Sequence, residues 1–122
     1  QNQVSLIGPV DRESVKDYYS TSNLMILPSI SEGLARVIFE SQVAMCPVLV
    51  TDAPGMSDIV IDGQTGYVFK SNNLDSLSLK IEYIKNNYDE ASLVAKNAKG
   101  FILSNYSEDN FKFSFKKLFD TV

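Results

Sequence analysis

Short continuous apolar runs alternate with helix-period stripes in the first part of the chain, and helix-period stripes alone fill the rest. Gln3–Gly8 is an apolar run closed by Gly8-Pro9, which predicts a strand and a turn. Asp11–Ser20 sets Val15, Tyr18 and Tyr19 at helical spacing behind Asp11, a side chain suited to capping a helix start; both tyrosines are expected to pack. Asn23–Leu27 is a continuous apolar run bounded by Pro28-Ser29, the pattern of a strand buried on both faces. Leu34–Met45 predicts a helix, with Leu34, Val37, Ile38 and Val43-Ala44 recurring at helical spacing. Pro47–Thr51 predicts a second buried strand, its proline in the first position, where a missing N–H is tolerated. A turn at Ala53-Pro54-Gly55, a short helical or irregular segment at Ser57–Ile61 and a two-glycine turn over Asp62–Gly66 lead to a last strand, Tyr67–Phe69.

From about residue 73 to 122 the pattern is helical. Leu74, Leu77, Ile81 and Ile84 form one stripe, Leu93, Val94, Ala98 and Phe101 a second, and Phe111, Phe115, Leu118 and Phe119 a third. Strands alternating with helices over short connections predict βαβ units and a mostly parallel sheet. Three or four short strands make a thin sheet, which strands preceding Gln1 would complete. The expectation is an α/β, Rossmann-like parallel sheet flanked by helices, with residues 1–122 forming a single, truncated domain.

Composition narrows the chemistry. With 122 residues, 44% of them hydrophobic, the chain can form a real core. A net charge of −4 without a basic stripe argues against a nucleic-acid partner. There is no histidine and Cys46 is the one cysteine, which excludes the usual Cys/His zinc sites, an internal disulfide and a Ser-His or Cys-His nucleophile. No apolar run approaches the roughly 20 residues that span a bilayer, and these residues are not expected to include a signal peptide.

The stretch most able to do chemistry is Leu24–Glu40. An apolar strand ends at Pro28-Ser29, a polar loop carries Glu32-Gly33, and a helix follows with a second acid, Glu40. The N–H groups of Gly33, Leu34, Ala35 and Arg36 open this helix without intrahelical partners, at the positive end of its dipole. Such a junction can hold a phosphate on backbone amides while the two acids bond hydroxyls. On spacing alone, capping and solvent exposure explain such a pair of acids more often than a ligand does.

The surrounding motifs add to this. Leu27-Pro28-Ser29, Glu32-Gly33, Glu40, Pro47–Asp52, Gly55 and Ile59–Val68, in that order and preceded by Leu6–Val10, resemble the C-terminal, donor-binding domain of the group 1 retaining glycosyltransferases of GT-B fold. The resemblance covers roughly Val4 to Leu79. It implies that Glu32 contacts donor-sugar hydroxyls beside the anomeric carbon, as positioner and electrostatic stabiliser of a front-face reaction. It further implies that Glu40 accepts hydrogen bonds from the nucleotide ribose, and that the amides of Gly33, Leu34, Ala35 and Arg36 lie against the sugar and distal phosphate. The Arg36 side chain itself is expected to face solvent or pair with an acid.

Departures from the family pattern stand out. Leu34-Ala35 replace the usual aromatic and glycine, bringing a methyl group toward the ligand. Met45 takes the place of a glycine before the Pro-Val strand, where a left-handed backbone would be strained and the helix exit is expected to be reshaped. Asp58 stands where a glutamate is common. Asp52 is equally suited to line the crevice or to cap a turn, and the Phe111–Phe119 face to form core or to meet a partner domain.

The function implied is the donor-binding half of a retaining glycosyltransferase, moving a sugar from a nucleotide-sugar to an acceptor glycan or lipid, for instance in polysaccharide biosynthesis. The donor is a substrate; no cofactor or metal is implied. The acceptor and the pyrophosphate-clamping cations belong to regions upstream, so these residues alone are expected to be inactive. A cytoplasmic location is implied, any contact with the inner face of the membrane being made through the N-terminal domain. The alternative is a non-catalytic α/β binding domain that keeps the fold for partner recognition. A response-regulator-like domain is disfavoured, because no early acidic pair follows a first strand.

Overall fold

A computed structural model describes residues 3–28, 34–54, 56 and 59–105. The elements, in order, are α1 (Arg12–Thr21), β1 (Met25–Leu27), α2 (Leu34–Val43), β2 (Val48–Thr51), β3 (Tyr67–Phe69), α3 (Leu74–Asn86) and α4 (Tyr88–Asn105). The three strands form a parallel sheet in the order β1-β2-β3. The expected α/β arrangement, a parallel sheet flanked by helices, is therefore present.

Strand β2 lies in the middle, and Val48, Leu49 and Val50 are wholly buried. Alternate residues serve opposite faces. Val48 and Val50 join Ile38 of α2, Met56 and Val60 on one side. Leu49 joins Tyr67, Phe69, Ile84, Ala91 and Val94 on the other, beneath α3 and α4. Each such aliphatic side chain contributes roughly 1.5–3 kcal/mol by leaving water.

Local signals set the helix ends, the Asp11 cap as expected and the Asn73 cap as a further finding. Asp11 caps α1, its Oδ1 accepting from the Ser14 N–H at 2.8 Å. Asn73 caps α3, accepting from the Ser76 N–H at 2.9 Å. At the exit of α2, Met45 stands at φ 60°, the left-handed conformation that glycine would adopt freely. The Met45 N–H reaches Gln42 O at 3.0 Å and the Cys46 N–H reaches Ser41 O at 2.9 Å, the bonds of a normal helix stop. The exit is thus not reshaped: the backbone is kept and Met45 carries the strain.

Other expectations are corrected. Residues 4–10 form no strand; Val4, Leu6 and Ile7 are 77%, 97% and 54% exposed. Among the described residues nothing pairs with this run or covers it, and an extended segment without ladder bonds is not a strand. β1 is half-buried rather than buried on both faces, because it lies at the edge of the described sheet; Ile26 remains 38% exposed. The buried stripe of α4 is Ala91, Val94, Ala95, Ala98 and Ile102, whereas Leu93 and Phe101 face out. Leu74 likewise faces out at the start of α3, and Tyr18 is exposed while Tyr19 is buried. The Phe111–Phe119 face lies outside the described residues.

The turn over residues 61–66 is held from two helices. Gln42 Nε2 on α2 donates to Thr65 O at 3.0 Å, and Asn97 Nδ2 on α4 donates to Gln64 O at 2.6 Å. Within the turn Thr65 Oγ1 accepts from the Ile61 N–H at 2.9 Å, and Gly63 takes φ +79°. The Asp62 carboxylate bonds both the Val68 N–H and Lys80 Nζ, tying the turn to β3 and α3.

Candidate functional site

Helix α2 carries three consecutive buried polar residues, Glu40, Ser41 and Gln42. Successive side chains on a helix point about 100° apart, so these three reach different neighbours. Ser41 Oγ donates to Cys46 O at the helix exit, 3.2 Å away. Gln42 holds the 61–66 turn. Glu40 turns toward α1, where Tyr19 Oη donates to its Oε1 at 3.1 Å. Arg36, one turn earlier on α2, donates from Nε to Glu40 Oε2 at 3.3 Å.

This cluster is not ordinary helix decoration. Arg36 lies in the first turn of α2, where the helix dipole opposes a cation, and a basic residue four positions before an acid is the less favourable order on a helix. The Glu40 side chain is only 4% exposed and that of Arg36 22%. A carboxylate taken out of water costs several kcal/mol unless donors surround it, and here a guanidinium and a phenol supply them. Tyr19 is itself perturbed: burial and then the negative charge of Glu40 push its phenol above the ordinary value, so it keeps its proton and remains a donor.

Of the residues read from the sequence, Leu34, Ala35 and Arg36 are the first three of α2, the positions whose backbone N–H groups have no partner within a helix. Arg36 and Glu40 come together, as an ion pair. Glu32, Gly33 and Asp58 lie outside the described residues. Asp52, left between two roles, accepts from the Ser71 N–H at 2.9 Å and from Ser71 Oγ at 2.8 Å, a link from the end of β2 to the turn after β3. The Ser71 backbone bond holds its carboxyl below the ordinary range.

Sequence reasoning missed Tyr19 as a polar partner, because its helical spacing marks it only as packing and Glu40 is 21 residues away. Asp52 also lines a cleft of about 550 Å³ at the C-terminal ends of β2 and β3, as one of its two readings expected, together with Pro54, Met56, Asp62, Lys70 and Lys80, which sequence reasoning did not place there. The charged groups of the cleft are partly satisfied by one another, Lys80 bonding Asp62 at 3.0 Å. Among the described residues no three His, Cys, Asp or Glu side chains gather as metal ligands, and no helix is long and apolar enough to cross a membrane.

A parallel βαβ unit whose crossover helix starts at the C-terminal end of a strand belongs to the Rossmann-like class of domains. Residues 1–117 match the profile of the glycosyl transferases group 1, and the chain belongs to that family. It is 30% identical over 82% of its length to an uncharacterised glycosyltransferase of Methanocaldococcus jannaschii, covering 28% of that protein. It is 26% identical over 74% of its length to the capsular polysaccharide biosynthesis glycosyltransferase CapM of Staphylococcus aureus, covering 24% of it. Over 64% of its length it is 33% identical to a D-inositol 3-phosphate glycosyltransferase of Nocardiopsis dassonvillei, covering 18% of it. The chain thus spans about a quarter or less of the length of these relatives.

Proposed function

We propose that these residues are the donor-binding half of a retaining glycosyltransferase, which transfers a sugar from a nucleotide-sugar to an acceptor glycan or lipid. The observation that carries the reading is the buried Glu40 carboxylate, held by Tyr19 and Arg36 on the helix that follows β1. Family membership supports sugar transfer. The similarity to CapM, a capsular polysaccharide biosynthesis glycosyltransferase, makes a polysaccharide pathway one natural setting.

In this reading Glu40 accepts hydrogen bonds from the nucleotide ribose, and Glu32 orients the donor sugar and stabilises positive charge near the anomeric carbon. The amides of Gly33, Leu34, Ala35 and Arg36 face the phosphate that leaves with the nucleotide. Fixed N–H dipoles at a helix start stabilise the charge that grows on a departing diphosphate. The bond to the anomeric carbon breaks toward the diphosphate, whose oxygen assists deprotonation of the acceptor hydroxyl as it attacks the same face. The Arg36 side chain orients Glu40, and its backbone N–H serves the phosphate. No metal is required by this scheme, and a cytoplasmic setting follows from a cytoplasmic nucleotide-sugar supply.

The alternative, a non-catalytic binding domain, draws support from Ala35 and Met45 standing where the family has glycines, although Met45 takes the left-handed conformation that a glycine would adopt there. Titration of the full-length protein with uridine, guanosine and adenosine diphosphates decides between them. Binding of one nucleotide that is lost in Glu40→Ala supports donor binding; absence of binding to all three favours the alternative. Turnover by these residues alone would overturn the two-domain scheme.

A further inference from the structure

The two oxygens of Glu40 are occupied differently. Oε1 accepts from Tyr19 Oη at 3.1 Å and Oε2 from Arg36 Nε at 3.3 Å. A carboxylate offers about two acceptor positions on each oxygen. Among the described residues, one donor on each leaves one position on each, the number a vicinal diol needs to bond both oxygens at once. Because the Glu40 side chain is 4% exposed, a ligand meets it only where its neighbours leave it open.

The two donors are not equivalent. Arg36 belongs to the same helix as Glu40, one turn away, so it cannot set where that helix lies relative to its surroundings. Tyr19 reaches across from α1, and its ring is buried at 9% exposure. An aromatic side chain has two side-chain torsions, so its hydroxyl is a rigid anchor once the ring is packed. Tyr19 is followed by a tied-down exit from α1: the Ser22 N–H reaches Tyr18 O at 2.9 Å, and Cys46 Sγ lies 3.6 Å from Ser22 O. The backbone that carries Tyr19 is thus tied at the exit of α1 while its ring is packed against α2.

We propose that Tyr19 is a positioning residue for ribose recognition, its hydroxyl occupying one acceptor position of Glu40 so that the rest of the carboxylate is presented to the two hydroxyls of the nucleotide sugar. This rests on the reading of Glu40 as a ribose ligand. Nothing in the sequence around Tyr19 marks it for this, since its helical spacing accounts for it as packing alone. Removing the hydroxyl while keeping the ring isolates the effect, because Tyr19→Phe leaves the packing of α1 on α2 in place.

The test is calorimetric titration of the full-length protein with a ribonucleoside diphosphate and its 2′-deoxy counterpart, for the wild type, Tyr19→Phe and Glu40→Gln. The expected result is a preference for the ribonucleotide in the wild type. Tyr19→Phe lowers that preference by about fivefold to tenfold, the size of one net hydrogen bond. Glu40→Gln lowers it at least as far. A Tyr19→Phe variant that loses thermal stability but keeps the full ribose preference, while Glu40→Gln loses it, makes Tyr19 structural and overturns the proposal, leaving the reading of Glu40 intact. An unchanged preference in Glu40→Gln, or no nucleotide binding by the wild type, overturns the reading and the proposal together.

Discussion

Gly66 lies so close to Val48 that a β-carbon placed on it would stand 2.5 Å from Val48 Cγ2, with Val60 Cγ1 2.7 Å away on the same side. This contact seals the joint between the 61–66 turn and the centre of the sheet. Both valines are wholly buried and β-branched, so neither can turn aside easily. Gly66→Ala is expected to cost about 1–3 kcal/mol, the usual range for overpacking. Urea denaturation would show a lowered midpoint; an unchanged midpoint would mean that the turn moves freely, against the hydrogen bonds from Gln42 and Asn97.

Met45 offers the opposite case. A non-glycine residue in the left-handed region carries roughly 1–2 kcal/mol of strain, part of which glycine would return as extra freedom in the unfolded chain. Met45 is 49% exposed and gives up little packing. Met45→Gly is therefore expected to stabilise by about 0.5–1 kcal/mol, and Met45→Val to destabilise, since a branched β-carbon fits this conformation worst. Paired thermal melts of the two variants measure it, and the prediction fails if Val is tolerated as well as Gly.

Loss of the Arg36 side chain leaves Glu40 buried beside one neutral donor. Arg36→Ala is expected to cost about 1–3 kcal/mol, more than an exposed pair four residues apart would. The cost should shrink when Glu40 is already Gln, because the uncompensated charge is gone. A double-mutant cycle with no coupling between the two positions would show that the ion pair is not maintained in solution.

Stability should fall on the alkaline side. Burial holds the Cys46 thiol above its ordinary value, and burial followed by the charge of Glu40 does the same for the Tyr19 phenol. Burial also raises Tyr67, helped by its hydrogen bond to Glu90. Each keeps its proton in the folded chain at pH values where the unfolded chain has released it. The unfolded state then binds fewer protons, so stability decreases as pH rises. It is fully present below about pH 8.5, the ordinary cysteine value, and declines through about pH 10, the ordinary tyrosine value. Denaturation midpoints that stay level across that range would contradict the burial of all three groups.

Much of this was legible beforehand, and the reasons differ by residue. Asp11 and Asn73 cap through bonds spanning three residues, so local order suffices to reveal or permit them. The apolar run at Val48–Val50 is central because no polar residue interrupts it. The same reasoning failed at Gln3–Gly8, where a largely apolar run forms no strand: pairing depends on a neighbour, and a run cannot reveal whether it has one. It failed again on α4, where Leu93 and Phe101 drew attention by size, while the small Ala91, Ala95 and Ala98 make the buried stripe because their size lets the helix approach closely.

By itself the sequence determined the alternation of strand and helix, the helix stop before Pro47 and the two acids flanking a helix start. These depend on neighbours within a turn or two, which linear order carries directly. Only the tertiary structure decided what Glu40 touches. Its partner Tyr19 lies 21 residues away on another helix, and the pairing exists because the packing of α1 on α2 brings the two together. Burial of a carboxylate and its satisfaction by a distant phenol are properties of that packing, which spacing along the chain does not encode.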